Sequence, residues 1–205
     1  MNRTEIKERV KTYLEELTPE WLNNLQQTDG VDIDSYLDNI LLPQLNELLL
    51  NAPVKLLPLQ EVKDDVTIKM NVDGTGCVVM PTHLIRPAML KMRGWNMSVT
   101  NFIDETHPLY ELQFNAYTRG TPHAPIAVWR AGENGVSIIE YFSVGESNPT
   151  HSIDTLLCVV AHTDPENFDL HPLLLDALCY RCASAFYAIS GNSAMADVMK
   201  ARAVV

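Results

Sequence analysis

The chain has 205 residues, 46% of them hydrophobic and 20% charged, with a formal net charge of −11. These are globular values for a chain of one-domain size that can bury a core without staples, and they exclude wholesale disorder. Fifteen Lys and Arg against 26 Asp and Glu, with no basic run, exclude a general nucleic-acid binder, because clustered cations are what release counterions from phosphates.

In chain order, Ile6, Val10, Tyr13, Leu14 and Leu17 recur at helical spacing and predict a first amphipathic helix. Its charged, amphipathic sequence has no apolar signal core, so a soluble, cytosolic protein is expected. Thr18-Pro19-Glu20 predicts a helix restart, with Thr18 as cap. Ile33, Leu37, Ile40, Leu41, Leu45 and Leu48 predict a further helix started by Asp32 or Asp34, with Pro43 expected to kink or split it. The middle of the chain changes period. VTIKMNVDGTGCVVM predicts two strands joined at Asp73-Gly74-Thr75-Gly76. IAVWRAGENGVSIIEYFSV predicts a hairpin turning at Asn134-Gly135, and DTLLCVVAHT a buried strand. Prolines 81, 87, 108, 122, 125 and 149 are expected to break the rest into turns and short edge pieces. A helix from near Pro172, a stop at Gly191 and a short helix capped by Ser193 close the chain. No apolar run reaches the ~20 residues of a membrane span. The expected fold is α+β. Residues 1–205 form a single domain, helical over 1–58, β-rich over 61–163 and helical over 169–205, with helical segments around a small antiparallel sheet with hairpins.

The chemical candidates are few. Cys179-Tyr180-Arg181-Cys182 has redox or zinc spacing, yet Leu175, Leu178, Cys179, Cys182, Phe186 and Ile189 share one helix face. Two turns inside a helix, Cys179 is too deep for the dipole to activate it, so both thiols are expected as core filler. A metal-stabilised domain using Cys179, Cys182 and His171 is the alternative, as is a small enzyme with Cys158 or Cys179 as nucleophile and His162 as base. The histidines show no paired spacing, and DGTG lacks the helix and Lys-Ser/Thr that follow a phosphate loop. Ser143 and Ser147 near Gly145 lack a nucleophile-elbow pattern. No catalytic, cofactor or metal residue is assigned. Arg119, in an otherwise uncharged turn, points to an internal ion pair or a subunit contact. Trp95 and Trp129 point to the core or to an interface.

The order of DIDSYLDNILLPQLNELLLNAP, MPTHLIRPAMLKMRGWNMSVTNFI, YELQFNAYTRGTPHAPIAVW, IIEYFSV and LLLDALCYRCASAFYAISGN resembles the adaptor, or ring, proteins of tailed bacteriophages. It is most similar to those of the crAss-like group, over roughly residues 31 to 200. Where many adaptors carry an acidic-aromatic pair after the proline, this chain has Thr82-His83-Leu84. The resemblance implies a non-enzymatic virion structural protein of the head-to-tail connector, in the virion's tail and made in the host cytoplasm. It implies a homo-oligomeric ring, twelvefold to follow the portal protein, with neighbouring tail and ring proteins as partners. Genomic DNA would pass through without specific binding, and no membrane or cofactor is involved. Such a ring needs heterologous interfaces, for which Arg119, Trp129 and Trp95 are the expected residues.

Overall fold

The computed structural model describes residues 1–15, 32–132, 135–144, 150–164 and 166–204. Among them lie helices α1 (Arg3–Glu15) and α2 (Ile33–Asn51), strands β1 (Leu59–Glu61), β2 (Thr67–Met70), β3 (Gly76–Met80), β4 (Leu84–Met92), β5 (Ala127–Ala131), β6 (Ser137–Tyr141) and β7 (Ile153–Val160), and helices α3 (Pro172–Ile189) and α4 (Ser193–Arg202). The fold is α+β with helices at both ends. Its contacts divide it into two compact units, Met1–Pro58 with His162–Val205, and Leu59–Ala161.

The helical unit brings the two ends of the chain together. Ile6, Val10 and Leu14 of α1 are buried, as the spacing predicts, and Tyr13 stacks on Tyr180 of α3 at 4.6 Å. Leu17 and the Thr18-Pro19 restart lie outside the described residues. In α2, Asp32 is the cap, accepting from the N–H groups of Asp34 and Ser35, and Ile33, Leu37, Leu41, Leu45 and Leu48 are buried. At ~1.5–3 kcal/mol for each buried leucine, that stripe outweighs the ~3 kcal/mol a mid-helix proline costs. Accordingly α2 runs through Pro43 and is not split there. α3 starts at Pro172 behind His171, whose Nδ1 accepts the Leu173 N–H at 3.3 Å. Ile189, expected in its buried stripe, is instead 66% exposed in the last turn, beyond the reach of the packing. The next cap is Asn192, one residue before the expected Ser193, after Gly191 at positive φ. α3 is 18 residues long with mean hydropathy 1.2, enough by length and composition to span a membrane, but half of it is buried. Asp176 and Arg181 on its flank are paired with Arg9 and Glu47.

The second unit holds two antiparallel sheets, β1-β7-β4 and β2-β3-β6-β5, where one was expected. The two predicted hairpins are β2–β3 and β5–β6, and β7 is the central strand of the smaller sheet. Gly135 has the positive φ a tight turn requires, while Asn134 lies outside the described residues. The longest strand, β4, runs through Pro87, where turns and short edge pieces were expected. Proline is tolerated there because β4 is an edge strand whose register shifts between Leu84 and Arg86 and again between Pro87 and Met89. Val78, Met80, Leu90, Met92, Ile139, Tyr141, Leu156 and Cys158 from both sheets form one buried cluster.

Candidate assembly surface

Between β4 and β5 the chain forms a loop closed by its own side chains. Asp104 accepts from the N–H and hydroxyl of Thr106, and a single 3-10 turn covers Glu111–Phe114. Gln113 is almost fully buried: its Nε2 donates to the Leu109 carbonyl at 2.8 Å and its Oε1 accepts the Gly120 N–H at 2.9 Å. One amide thereby ties Leu109 to Gly120 within the loop, and it satisfies a Gly120 N–H that would otherwise be buried without a partner. The Thr118 hydroxyl donates to the Leu112 carbonyl at 2.8 Å, and Asn115 Oδ1 accepts the Tyr117 N–H at 2.9 Å. Gly120 has no room for a side chain, since a Cβ would lie 2.9 Å from the Ile126 nitrogen.

Arg119 fastens this loop to the β2–β3 turn. Its Nη2 donates to the Asp73 carbonyl at 2.8 Å, and its Nη1 lies 3.3 Å from Asp73 Oδ2. Of the two roles expected of Arg119, an internal ion pair and a subunit contact, the ion pair is present. The Asp73 carboxyl is held below the usual carboxylate range, first by the Thr75 hydroxyl and then by Arg119. Between hairpin and loop lies a cleft of about 430 Å³, lined among others by Cys77, Phe114, Glu140, Tyr141 and Phe142.

With the backbone fixed, the large apolar side chains of the loop face solvent. Phe114 is 65% and Tyr117 98% exposed, and Leu109, Leu112 and, on the neighbouring hairpin, Met70 and Val72 are also exposed. Single exposed apolar residues are ordinary, but four of these, Leu109, Leu112, Phe114 and Tyr117, lie within one short stretch whose backbone is held by side-chain hydrogen bonds. Ordering them in advance removes part of the entropic cost of association.

The other expected residues separate. Trp95 is buried, with its indole donating to the Ser143 carbonyl at 2.8 Å, so it offers a neighbour no surface. Trp129 is half-buried against the core, and among the described residues its indole N–H has no hydrogen-bond partner. Cys158, Cys179 and Cys182 are fully buried. Burial pushes the Cys158 thiol up to about 12 and the Cys179 thiol up to about 12, the latter against the opposing charge of Arg9. Cys182 is raised further by the same cause. All three are held as thiols, the opposite of what a nucleophile needs. His162 belongs to the helical unit, where its ring stacks on Phe168 at 4.9 Å, while Cys158 lies inside the β unit. His171 is occupied as a helix cap. Among the described residues no three His, Cys, Asp or Glu side chains are grouped to hold a metal ion. Ser143 is buried, and Ser147 lies outside the described residues.

Gln113 and the exposed Leu112-Phe114-Tyr117 run are what sequence reasoning missed. The only signal was a glutamine between aromatic residues ahead of a Gly-Thr-Pro turn. No protein-family model matches the chain, and no curated protein has a significantly similar sequence.

Proposed function

We propose that this protein is a non-enzymatic structural component of a phage head-to-tail connector, forming a homo-oligomeric ring below the portal. The observation that carries this is the stapled loop: Gln113 and Arg119 hold Leu112, Phe114 and Tyr117 outward on an ordered backbone. Such a surface binds another protein, since aromatic anchors on a rigid frame supply most of the energy of an interface. The resemblance in element order supplies the kind of assembly. A ring needs unlike faces that meet, and the net charge of −11 suits a channel through which DNA passes without adhering. The virion tail, reached from the host cytoplasm, is where it would act, with portal and neighbouring ring proteins as partners. The thiols that a Cys/His enzyme would use are buried and protonated, which favours assembly over catalysis.

Electron microscopy of the purified chain mixed with the portal protein of the same phage tests this. A closed extra layer with the portal's symmetry is the expected result. Bare portals at protein excess, with no layer added, would overturn it.

A further inference from the structure

Arg181, Ser184, Ala185 and Ala188 lie on one face of α3, at steps of a helical turn. Ser184 Oγ donates to the Ala196 carbonyl at 2.8 Å, which fixes α4 on one side of that face. Arg181 pairs with Glu47 of α2 at 3.2 Å on the other side. Between the two flanking helices the short side chains of α3 leave a groove of about 550 Å³. Its walls are apolar: Leu48 and Ala52 from α2, and Ala203 and Val204 just past α4. Val204 is 81% exposed at the rim. Pockets of ~300–1,000 Å³ bury whole ligands, so this one has room for more than one aromatic side chain.

The stapled loop presents side chains of that kind. Phe114 and Tyr117 project from a backbone that is already held, whereas the groove is a recess on the other compact unit. Projection and recess are unlike surfaces of one chain, as a ring contact requires.

Charge agrees when every group on both surfaces is counted. The groove and α4 carry Arg181, Lys200 and Arg202 against Glu47 and Asp197, a positive excess of one in a chain of net charge −11. The loop and the strands beside it carry Lys69, Arg119 and Arg130 against Asp73, Asp104, Glu105, Glu111 and Glu140, a negative excess of two. Arg181 is answered by Glu47, Arg119 by Asp73, and Arg130 by Glu140 and Glu105. Lys200 at the groove and Glu111 on the loop make no ion pair among the described residues. Loop against loop would bring acids together, and two grooves have nothing with which to fill each other.

We infer that the groove between α2, α3 and α4 receives the loop of a second copy of this chain, with Phe114 and Tyr117 entering it and Glu111 meeting Lys200. The contact rests on the ring role proposed above and supplies the second of its two faces. Each copy gives a loop to one neighbour and a groove to the other, so the contact repeats until it closes.

Two variants of the full chain test it. Ala188→Trp fills the groove from an exposed position, and Phe114→Ala with Tyr117→Ala removes the projection. Sedimentation equilibrium of the unmodified chain should show mass rising with concentration, while each variant alone stays monomeric. A 1:1 mixture of the two should give a dimer and nothing larger, because one keeps the loop and the other the groove. Ala188→Trp associating like the unmodified chain would overturn the inference, since another surface would then hold the loop. Unmodified chain that stays monomeric at every concentration would overturn it too, leaving the connector role to its own test on the portal. Should a variant fail to fold, a charge exchange at two exposed positions decides. Glu111→Lys and Lys200→Glu should each weaken association about tenfold, and the two together in one chain should restore it. A double variant weakened by both losses would contradict the contact.

Discussion

Arg119 holds Asp73, 46 residues away in sequence, by its main-chain carbonyl as well as its carboxylate. The guanidinium thereby ties a loop without regular structure to a hairpin turn, and the orientation of the exposed aromatics depends on it. Asp73 is largely solvent-exposed, so the ion pair itself contributes ~0–1 kcal/mol. Arg119→Ala should cost about 1 kcal/mol in all, lowering Tm by roughly 2–4 °C, while association with copies or portal falls much further. Lysine should not restore it, since it cannot reach carbonyl and carboxylate with one planar fork. Calorimetry beside a binding titration checks both arms.

Tyr117 separates assembly from folding most cleanly. Its side chain is almost wholly exposed and contributes only its backbone N–H to the loop. Tyr117→Ala should leave stability within ~0.5 kcal/mol and weaken association about tenfold or more. A variant as associative as the parent would remove Tyr117 from the contact.

Gln113 should behave in the opposite way. Gln113→Leu leaves the buried Gly120 N–H without its partner and removes the part-buried bond to the Leu109 carbonyl. The expected cost is ~1–3 kcal/mol, seen as a lower midpoint in urea and as faster amide exchange at Gly120.

The thiols give a test of the absence of cysteine chemistry. Cys77, half-buried, should label first with a small thiol reagent, and Cys158, Cys179 and Cys182 only once denaturant unfolds the chain. Rapid labelling of Cys158 or Cys179 in the native state would revive an enzyme reading. Cys182→Ser, which buries a hydroxyl in an apolar site, should destabilise by ~1–3 kcal/mol.

Acid should loosen the helical unit. Lys7, hydrogen-bonded to Asp38, and Arg3 beside it hold the Asp38 carboxyl below its ordinary value. A carboxyl depressed in the folded state stabilises above its unfolded pKa, and that contribution is lost as pH falls through the folded value. Asp38→Asn should therefore flatten the decline in stability below about pH 4, measured by denaturant unfolding across pH.

Periodicity made the helices legible. Ile6, Val10 and Leu14, the α2 leucines and the paired cysteines all lie inward because a 3.6-residue repeat is local information. Turn chemistry likewise gave the hairpins at Asp73-Gly74 and near Gly135. What local pattern could not supply was tertiary. Pro87 argues against a strand until the edge position and bulges of β4 are known, and Pro43 against a helix until the burial of α2 is weighed. The division of seven strands between two sheets depends on pairings such as Glu61 with Leu157, 96 positions along the chain, which no short-range signal encodes. The site was half legible. Arg119 announced itself as a lone charge in an uncharged turn, but Gln113 looked like any polar loop residue, and its importance lies in two hydrogen bonds that only the folded loop creates.

Whether this chain mates into a connector is decided by native mass measurement of the species recovered with the portal protein. The expected complex exceeds the bare portal by a fixed integer number of chains, and that excess vanishes with Tyr117→Ala and Arg119→Ala combined. A chain that stays monomeric beside an unchanged portal would contradict it.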